Sequence, residues 1–473
     1  MTAPVHAVST TGIYCRPDCS ASPLPRHVST YAHPAAAEAA GFRACHRCRP
    51  YRTSDLATWL DAPELVCRAV RMVVEGALDG ATEIDLAARL GVSARHLRRL
   101  FETHMGLTPD QLARSRRAHF ARRLLDDTDL PVVDIATAAG YGSSRQLARE
   151  LNRVFRAGPS ELRSKRRHAD RLVADGGLRL RLPFAPPLDW AHLLGFLAER
   201  ATPGVEAVDV DAGIYLRTIS VGGAPGVLAA GPPTSDALLI TWHLPRWDGL
   251  THLNQRARRL FDLDADPADV LAVLGDDPIV SSGVHASPGR RVPGAWEATE
   301  IAVRAVAGQQ VTVRGATTIM GRLVERFGSP VGGLVPMGLT ATFPTAEVLA
   351  EAGVDAIASC GLPRSRAAAI AGLAGAVVGG DIVIDGSVTG RDLHDSLTGL
   401  AGIGPWTAGY VAMRLGDGDA YPRGDLALRR RLARWCGIDE ATPAHLDEVA
   451  EIWRPRRAHA AIHLWSMPVP EDR

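Results

Sequence analysis

From Ala62 to about Arg167 apolar residues recur at three- and four-residue steps, the pattern of helices with one buried face. In "EIDLAARLGVSARHLRRLFETHMG", Leu86, Ala87 and Leu90 share a face, Gly91 breaks the period, and Ser93 can cap a second helix. That helix turns Leu97, Leu100 and Phe101 inward and leaves Arg95, His96, Arg98 and Arg99 outside. The shape returns 49 residues later as "VVDIATAAGYGSSRQLARELNRVF". There Gly140 marks the turn, Leu147, Leu151 and Phe155 face inward, and Arg145, Arg149 and Arg153 form a basic stripe at i, i+4, i+8. Past Leu178 the period changes. "LRLRLPF" alternates as a strand, "DWAHLLGFLAERA" is an amphipathic helix, and "AGIYLRTISV" and "DALLITWHL" read as further strands. This small α/β region runs to about residue 284, and the rest is helical. Between the halves, "RSKRRHADRLVADGG" is charged and then glycine-bearing, and reads as a linker over 168–177.

A chain of 473 residues is too long for one core. Its net charge of +1 hides an asymmetry: residues 1–170 hold 25 Lys+Arg against 18 Asp+Glu, and the remainder 28 against 34. A basic front half suits a module that binds nucleic acid. The N-terminus carries no apolar signal core and no apolar run spans a membrane, so a soluble, cytoplasmic protein with no membrane partner is expected. Lys165 is the only lysine.

Seven cysteines in a reducing interior favour metal or chemistry over disulfides. Cys15-x3-Cys19, followed by Cys45-x2-Cys48, has the paired spacing of a tetrahedral thiolate site and predicts one Zn(II) per chain. Cys67, Cys360 and Cys436 lie among apolar residues and read as core. An all-thiolate site ordinarily closes a small domain that has too little core to fold alone. The words around these cysteines, "TTGIYCRPDC" and "GFRACHRCRP", resemble the zinc domain of bacterial Ada-type adaptive-response proteins. The resemblance implies that Cys15 is both ligand and nucleophile, taking a methyl group from a DNA methylphosphotriester. Two departures accompany it. Only "MTAPVHAVS" precedes the "TTGI" element, where the family has a helix and a complete strand. Ser22 stands where an arginine is common, which leaves Arg16 or Arg26 to meet the phosphate.

Each helical pair alone could be a plain hairpin. Two copies separated by "GLTPDQLARSRRAHFARRLL" resemble the AraC-type tandem DNA-binding domain. That implies a second helix of each pair in a major groove, with Arg95, Arg98, Arg145 and Arg149 on DNA.

In "LTGLAGIGPWTAGYVAMRLG", Gly402 and Gly404 flank Ile403 in a tight turn ahead of a helix starting near Trp406. Such a turn offers backbone N–H groups to a DNA phosphate. About twenty residues on, "AYPRGDLALRRR" carries Asp425. Alone, Asp425 reads as a surface or capping carboxylate. Together the two elements resemble the helix-hairpin-helix glycosylase superfamily, and "PPLDWAHLLGFLAERA", "AVRAVAGQQVT" and "HLWSMP" sharpen this to the AlkA-type 3-methyladenine glycosylases. The resemblance implies Asp425 as the catalytic aspartate and a base pocket of Trp406, Tyr410, Trp465 and Phe196, whose electron-rich rings would select a cationic base. It also puts Gln310 on the DNA where the family has a leucine wedge, and Arg456 where a second tryptophan is common. Relatives that also cut the strand use a lysine that is here Trp406, so a monofunctional enzyme is expected. The Pro-Cys-His-Arg element of an O6-methylguanine transferase is absent.

The expected fold is therefore multidomain α+β. It comprises a small zinc domain (1–52), an all-α tandem helix-turn-helix domain (62–167), a small α/β domain (178–284) and an all-α helix-hairpin-helix glycosylase domain (285–468). The chain resembles an Ada–AlkA fusion that would excise alkylated bases and regulate transcription. Expected partners are alkylated and operator double-stranded DNA and RNA polymerase, and a monomer is expected. The alternative is a regulator whose glycosylase-like half binds DNA without cutting.

Overall fold

The computed structural model describes residues 4–21, 23–52, 62–167, 172, 177–384, 388 and 390–467; Ser22, Pro468 and all of the 168–177 linker except Leu172 and Gly177 lie outside the described residues. The chain divides into two compact units: Met1–Phe184 with Leu239–Thr241 and Arg246–Arg256, and the remainder.

The first unit begins with a four-stranded sheet in the order β3-β1-β2-β4. Its strands are β1 (Val5–Val8), β2 (Ile13–Cys15), β3 (Val28–Tyr31) and β4 (Arg43–Ala44), with helix α1 (Pro34–Ala39) between the last two. The short segment before "TTGI" thus supplies a whole strand: β1 pairs on both sides, His6 with Cys15 and with Thr30.

Seven helices follow. The first helix pair is α3 (Glu83–Arg89) and α4 (Ala94–Met105), preceded by α2 (Glu64–Val74); the second is α6 (Val132–Ala138) and α7 (Ser144–Phe155), followed by α8 (Pro159–Ser164). Ser93 and Ser143 cap the two second helices by accepting from His96 N and Gln146 N. Leu97, Phe101, Leu147, Leu151 and Phe155 are buried as expected, whereas Leu100 is only half-buried. Between the pairs runs α5 (Pro109–Asp127), whose 19 residues span about 28 Å.

Helix α5 is the keel of this unit, and the cysteine module is seated on it. Glu38 of α1 accepts from Tyr14 Oη at 2.7 Å and lies 2.6 Å from His119 Nε2 on α5. Burial would raise the Glu38 carboxyl, but the facing His119 and hydrogen bonds from His119, Ser115 and Tyr14 outweigh it and hold the carboxyl below its ordinary value. Tyr51 donates to Asp126 at 3.0 Å, Arg52 reaches Asp127 at 2.7 Å, and the Tyr51, His119 and Phe155 rings pack together. Such buried charges are tolerated only because each meets a partner.

A five-stranded sheet has the order β5-β9-β8-β7-β6. Its strands are β5 (Leu178–Pro183), β6 (Glu206–Asp209), β7 (Ile214–Val221), β8 (Ala224–Ala230) and β9 (Ala237–His243), with α9 (Trp190–Arg200) after β5. Leu178, Leu180 and Leu182 are buried in alternation, as "LRLRLPF" predicts. Helices fill most of the second unit beyond it. One of them, Ser281–Ala286, runs across the expected boundary at 284. Cys436 departs from its expected core position: it is exposed, ending the helix Leu426–Cys436 beyond the buried Leu432 and Ala433. Cys360 is buried and Cys67 half-buried.

Candidate metal centre and active site

Strand pairing builds the cysteine cluster. β2 and β4 run parallel with Tyr14 opposite Ala44, so Cys15 and Cys45 leave neighbouring strands side by side. A turn closed by Cys19 N to Arg16 O returns Cys19, and a loop closed by Arg49 N to Cys45 O returns Cys48. All four ligand atoms lie within 4.8 Å of one another. A tetrahedral zinc with bonds of about 2.3 Å would need sulfurs about 3.8 Å apart, so the cluster fits. The chemistry of the donor set agrees. The Cys15 thiol is pushed far up, first by its hydrogen bond to Cys48 and then by burial, while that same bond pulls Cys48 down to about 5. Sulfurs this close cannot all ionise without a cation among them. Backbone amides of Arg16 and Arg47 also donate to Cys48 and Cys45, each at 3.4 Å.

Cys15 is the least exposed ligand, at 7 %. Of the arginines expected to meet a phosphate, Arg16 pairs with Asp18 at 2.8 Å and Arg26 Nε lies 3.3 Å from His27 Nε2. Arg47, inside the Cys45–Cys48 loop and exposed with its guanidinium on Ser20, is a further cation beside the cluster that sequence reasoning passed over. Only its spacing between two ligands could have drawn attention to it.

On the reader helices, Arg95, Arg145 and Arg149 are exposed. Arg98 is exposed too, but its Nε and Nη2 both donate to Glu83 Oε2, at 3.0 and 2.6 Å. It would have to exchange that partner for a phosphate.

In the second unit the helix Gly390–Thr398, the turn at 402–404 and the helix Pro405–Arg414 form the hairpin. Gly402 has φ +85°, and a Cβ there would come within 2.8 Å of Ala369 Cβ, so only glycine fits. Ile403 is buried and anchors the turn, Gly404 caps the helix, and Pro405 opens it.

Asp425 caps the helix Leu426–Cys436, accepting from Leu428 N at 2.9 Å through Oδ1. The same carboxylate also accepts two indole N–H groups: Trp406 Nε1 at 2.8 Å on Oδ2 and Trp465 Nε1 at 3.1 Å on Oδ1. Three donors from three chain segments fix its orientation. Trp406 stacks on Tyr410, with ring centres 5.4 Å apart and planes 3° off parallel. Trp406, Tyr410, Trp465 and Asp425 thus form one group. Phe196 is linked to it through Arg414, whose guanidinium lies 5.1 Å from the Phe196 ring centre and 5.5 Å from that of Tyr410.

The electrostatics differ from the expected all-aromatic pocket. Arg200 lies 3.8 Å over Phe196, and Arg414 donates to the Tyr410 hydroxyl at 2.6 Å. Burial raises the Tyr410 phenol, but the charges of Arg414, Arg200 and Arg304 prevail and leave it below the usual tyrosine value. Guanidinium groups thus already occupy the Phe196 and Tyr410 rings. Gln310 is exposed with φ +54° at the tip of its loop. Arg456 is buried and forms an ion pair with Asp269 at 3.3 Å. Gln309 was not expected to matter from sequence: its Nε2 donates to Gly402 O at 2.9 Å and to Thr407 Oγ1 at 3.1 Å.

Comparison with known proteins matches four family models along the chain. They are the metal binding domain of Ada (residues 3–51), a helix-turn-helix domain (86–165), the AlkA N-terminal domain (179–297) and the HhH-GPD superfamily base excision DNA repair protein (303–455). A Mycobacterium tuberculosis protein named "Probable bifunctional transcriptional activator/DNA repair enzyme AlkA" is 38% identical over 466 residues, covering 98% of this chain and 92% of its own. DNA-3-methyladenine glycosylase 2 of Escherichia coli is 34% identical over 291 residues, 60% of this chain and 95% of its own. Among solved structures, the 3-methyladenine DNA glycosylase of Archaeoglobus fulgidus superposes with a TM-score of 0.53 at 22% identity, covering 60% of this chain and 96% of that one. That likeness concerns the fold alone. The four clustered cysteines, within the matched metal binding domain, are the ligand set for one zinc ion.

Proposed function

This chain belongs to the family of bifunctional transcriptional activator/DNA repair enzymes that join an Ada-type metal domain to an AlkA-type glycosylase, and within that family we propose how its residues divide the work. The glycosylase half hydrolyses the N-glycosidic bond of alkylated bases such as 3-methyladenine in double-stranded DNA. The observation that carries this is the Asp425 carboxylate, held between the Trp406 and Trp465 indoles immediately after the hairpin.

An extruded base enters beside the two tryptophans, and the backbone N–H groups of Gly402 and Gly404 take a phosphate, that of Ile403 donating instead to Leu400 O. The C1′–N bond breaks with its electron pair leaving on the base. The carboxylate of Asp425 opposes the positive charge that develops on the sugar. Water then adds its oxygen to C1′ and releases a proton, leaving a free base and an abasic sugar. A cationic N-alkylpurine departs neutral and needs no strong acid. The described catalytic half has no lysine for a Schiff base, so the strand stays whole.

At the N-terminus we assign Cys15 as the methyl acceptor. A bound zinc ion keeps the four sulfurs deprotonated at neutral pH. The Cys15 sulfur forms a bond to the methyl carbon as the methyl–oxygen bond of the phosphotriester breaks, leaving an ordinary phosphodiester. With zinc held by Cys15, Cys19, Cys45 and Cys48, the centre would carry −2 before the transfer and −1 after it, which would weaken its repulsion of DNA phosphates. The helix pairs then bind an operator more tightly and recruit RNA polymerase. The protein acts in the cytoplasm as a monomer.

The direct test is to incubate the protein with methylated duplex DNA and score released bases and protein-bound methyl together. Both are expected. Release of bases without methyl on Cys15 would reduce the front half to a DNA anchor, and no release would leave a regulator only. A second expected outcome concerns the switch. Methylated protein should bind its operator more tightly at low salt, and the advantage should shrink as the screening length falls to about 10 Å near 0.1 M salt. Equal affinity of both forms at low salt would remove Cys15 from signalling.

A further inference from the structure

The helix Ala298–Ala307 ends at Gly308 and the next begins at Val313, so a tight loop separates them. It is an exposed feature: Gln310 sits at its tip in the left-handed region, and Val311 and Val313 are 39% and 41% exposed. A non-glycine residue with positive φ persists only where its surroundings hold it. Here the hold is Gln309. Its carboxamide nitrogen has two protons, and two acceptors receive them: Gly402 O and Thr407 Oγ1, 93 and 98 residues away in the chain. Gly402 belongs to the phosphate-facing turn. Thr407 is buried in the first turn of the next helix, directly beside Trp406, whose indole holds Asp425.

We propose that Gln309 is a positioning residue that locks the exposed 310–313 loop to the 402–404 turn and to the Trp406–Asp425 pair. Gripping the backbone, holding open the gap left by an extruded base and presenting the carboxylate then share one geometry. This rests on the glycosylase reading above. Extrusion from a paired duplex costs unpairing and unstacking, and the loop offsets that cost only at a fixed distance from the turn. A lesion that is already unpaired has little need of the lock.

The test uses the full chain with Gln309→Met, which keeps the side chain's length and removes its donors. Single-turnover excision of 7-methylguanine should fall about tenfold from a fully paired duplex, and less than about threefold from a one-base bulge. With the lesion on a 2′-fluoro sugar that resists cleavage, a 2-aminopurine as its 3′ neighbour should brighten less than with wild type. Affinity for undamaged duplex should hold. Adding Thr407→Val should cost little beyond Gln309→Met alone, since the contact it removes is one of the two that Gln309→Met already breaks. If the thermal midpoint of the Met variant falls, Gln309→Asn, one methylene too short to reach, carries the same comparison. Wild-type brightening in the variant, or equal excision loss on paired and bulged DNA, would overturn the proposal. Should wild type release no base from either substrate, the glycosylase reading fails, and the 2-aminopurine comparison still decides for or against the lock.

Discussion

Asp425→Asn is expected to slow base release about a hundredfold or more while leaving the fold intact, since one preorganised electrostatic group is typically worth a few kcal/mol at the transition state. The geometry lets this substitution keep two of the three hydrogen bonds to the side chain. Asparagine caps helices as well as aspartate does, so its carbonyl oxygen in the Oδ1 position keeps Leu428 N and the Trp465 indole. Its amide nitrogen then faces the Trp406 indole, donor against donor. What is lost is one hydrogen bond and the charge that would oppose the sugar cation. The thermal midpoint should therefore move little. DNA affinity should hold or rise, because this carboxylate takes no part in the phosphate contact proposed for the 402–404 turn. Wild-type product should stay unnicked until alkali is added: Lys165, the single lysine of the chain, lies in the first unit and pairs with Glu161 at 2.5 Å. An Asn variant that releases 3-methyladenine as fast as wild type would reduce Asp425 to a helix cap.

That carboxylate also shows where reading residues in order reaches its limit. Capping and catalysis stood as alternatives for Asp425 in the sequence, yet capping is what aims the carboxylate at the two indoles. Trp406 lies nineteen residues upstream and Trp465 forty residues on; the resemblance groups them with Asp425, but only the packed second unit shows both indoles donating to its carboxylate. The helix pairs were legible because each buries a single stripe, Leu97 with Phe101 and Leu147 with Leu151. Helix α5 was not legible as a keel, because it is buried nearly all round and carries Arg122, Asp126 and His119 inward, which reads as a polar surface. Strand β8, "APGVLAA", was missed since alanine, proline and glycine carry little strand preference. Strand β6 is four residues at a sheet edge, too short for alternation to register. The arginines over Phe196 and Tyr410 stand four residues after them, Arg200 in α9 and Arg414 in the helix Pro405–Arg414, a spacing that brings each guanidinium to its ring and that the sequence reading passed over.

Cys48→Ala should abolish stoichiometric zinc and unfold the module that precedes α2, while base excision by the second unit continues. The magnitudes decide this. Structural zinc in small thiolate domains contributes about 10–16 kcal/mol of apparent binding free energy. Whole domains are stable by only about 5–15 kcal/mol. The module's own core is thin, drawn mainly from Val5, Ala7, Tyr14, Ala35, Ala37, Ala44 and Tyr51, so nothing within it replaces the metal. Three remaining sulfurs would hold zinc weakly, and metal analysis after dialysis should read well below one ion per chain. The seat on α5 adds a second consequence. Losing Glu38, Tyr51 and Arg52 takes from His119, Asp126 and Asp127 the partners that the module supplies, leaving Asp126 to Arg122 and Asp127 to Arg181 in a helix packed for burial. The helix-turn-helix region should then melt at a lower temperature than in wild type, although no substitution touches it. Limited proteolysis should cut within residues 4–52 first. Full zinc retention in the variant would refute the ligand assignment, and metal loss with an unchanged helix-turn-helix melting temperature would show that α5 keeps its buried charges without the module.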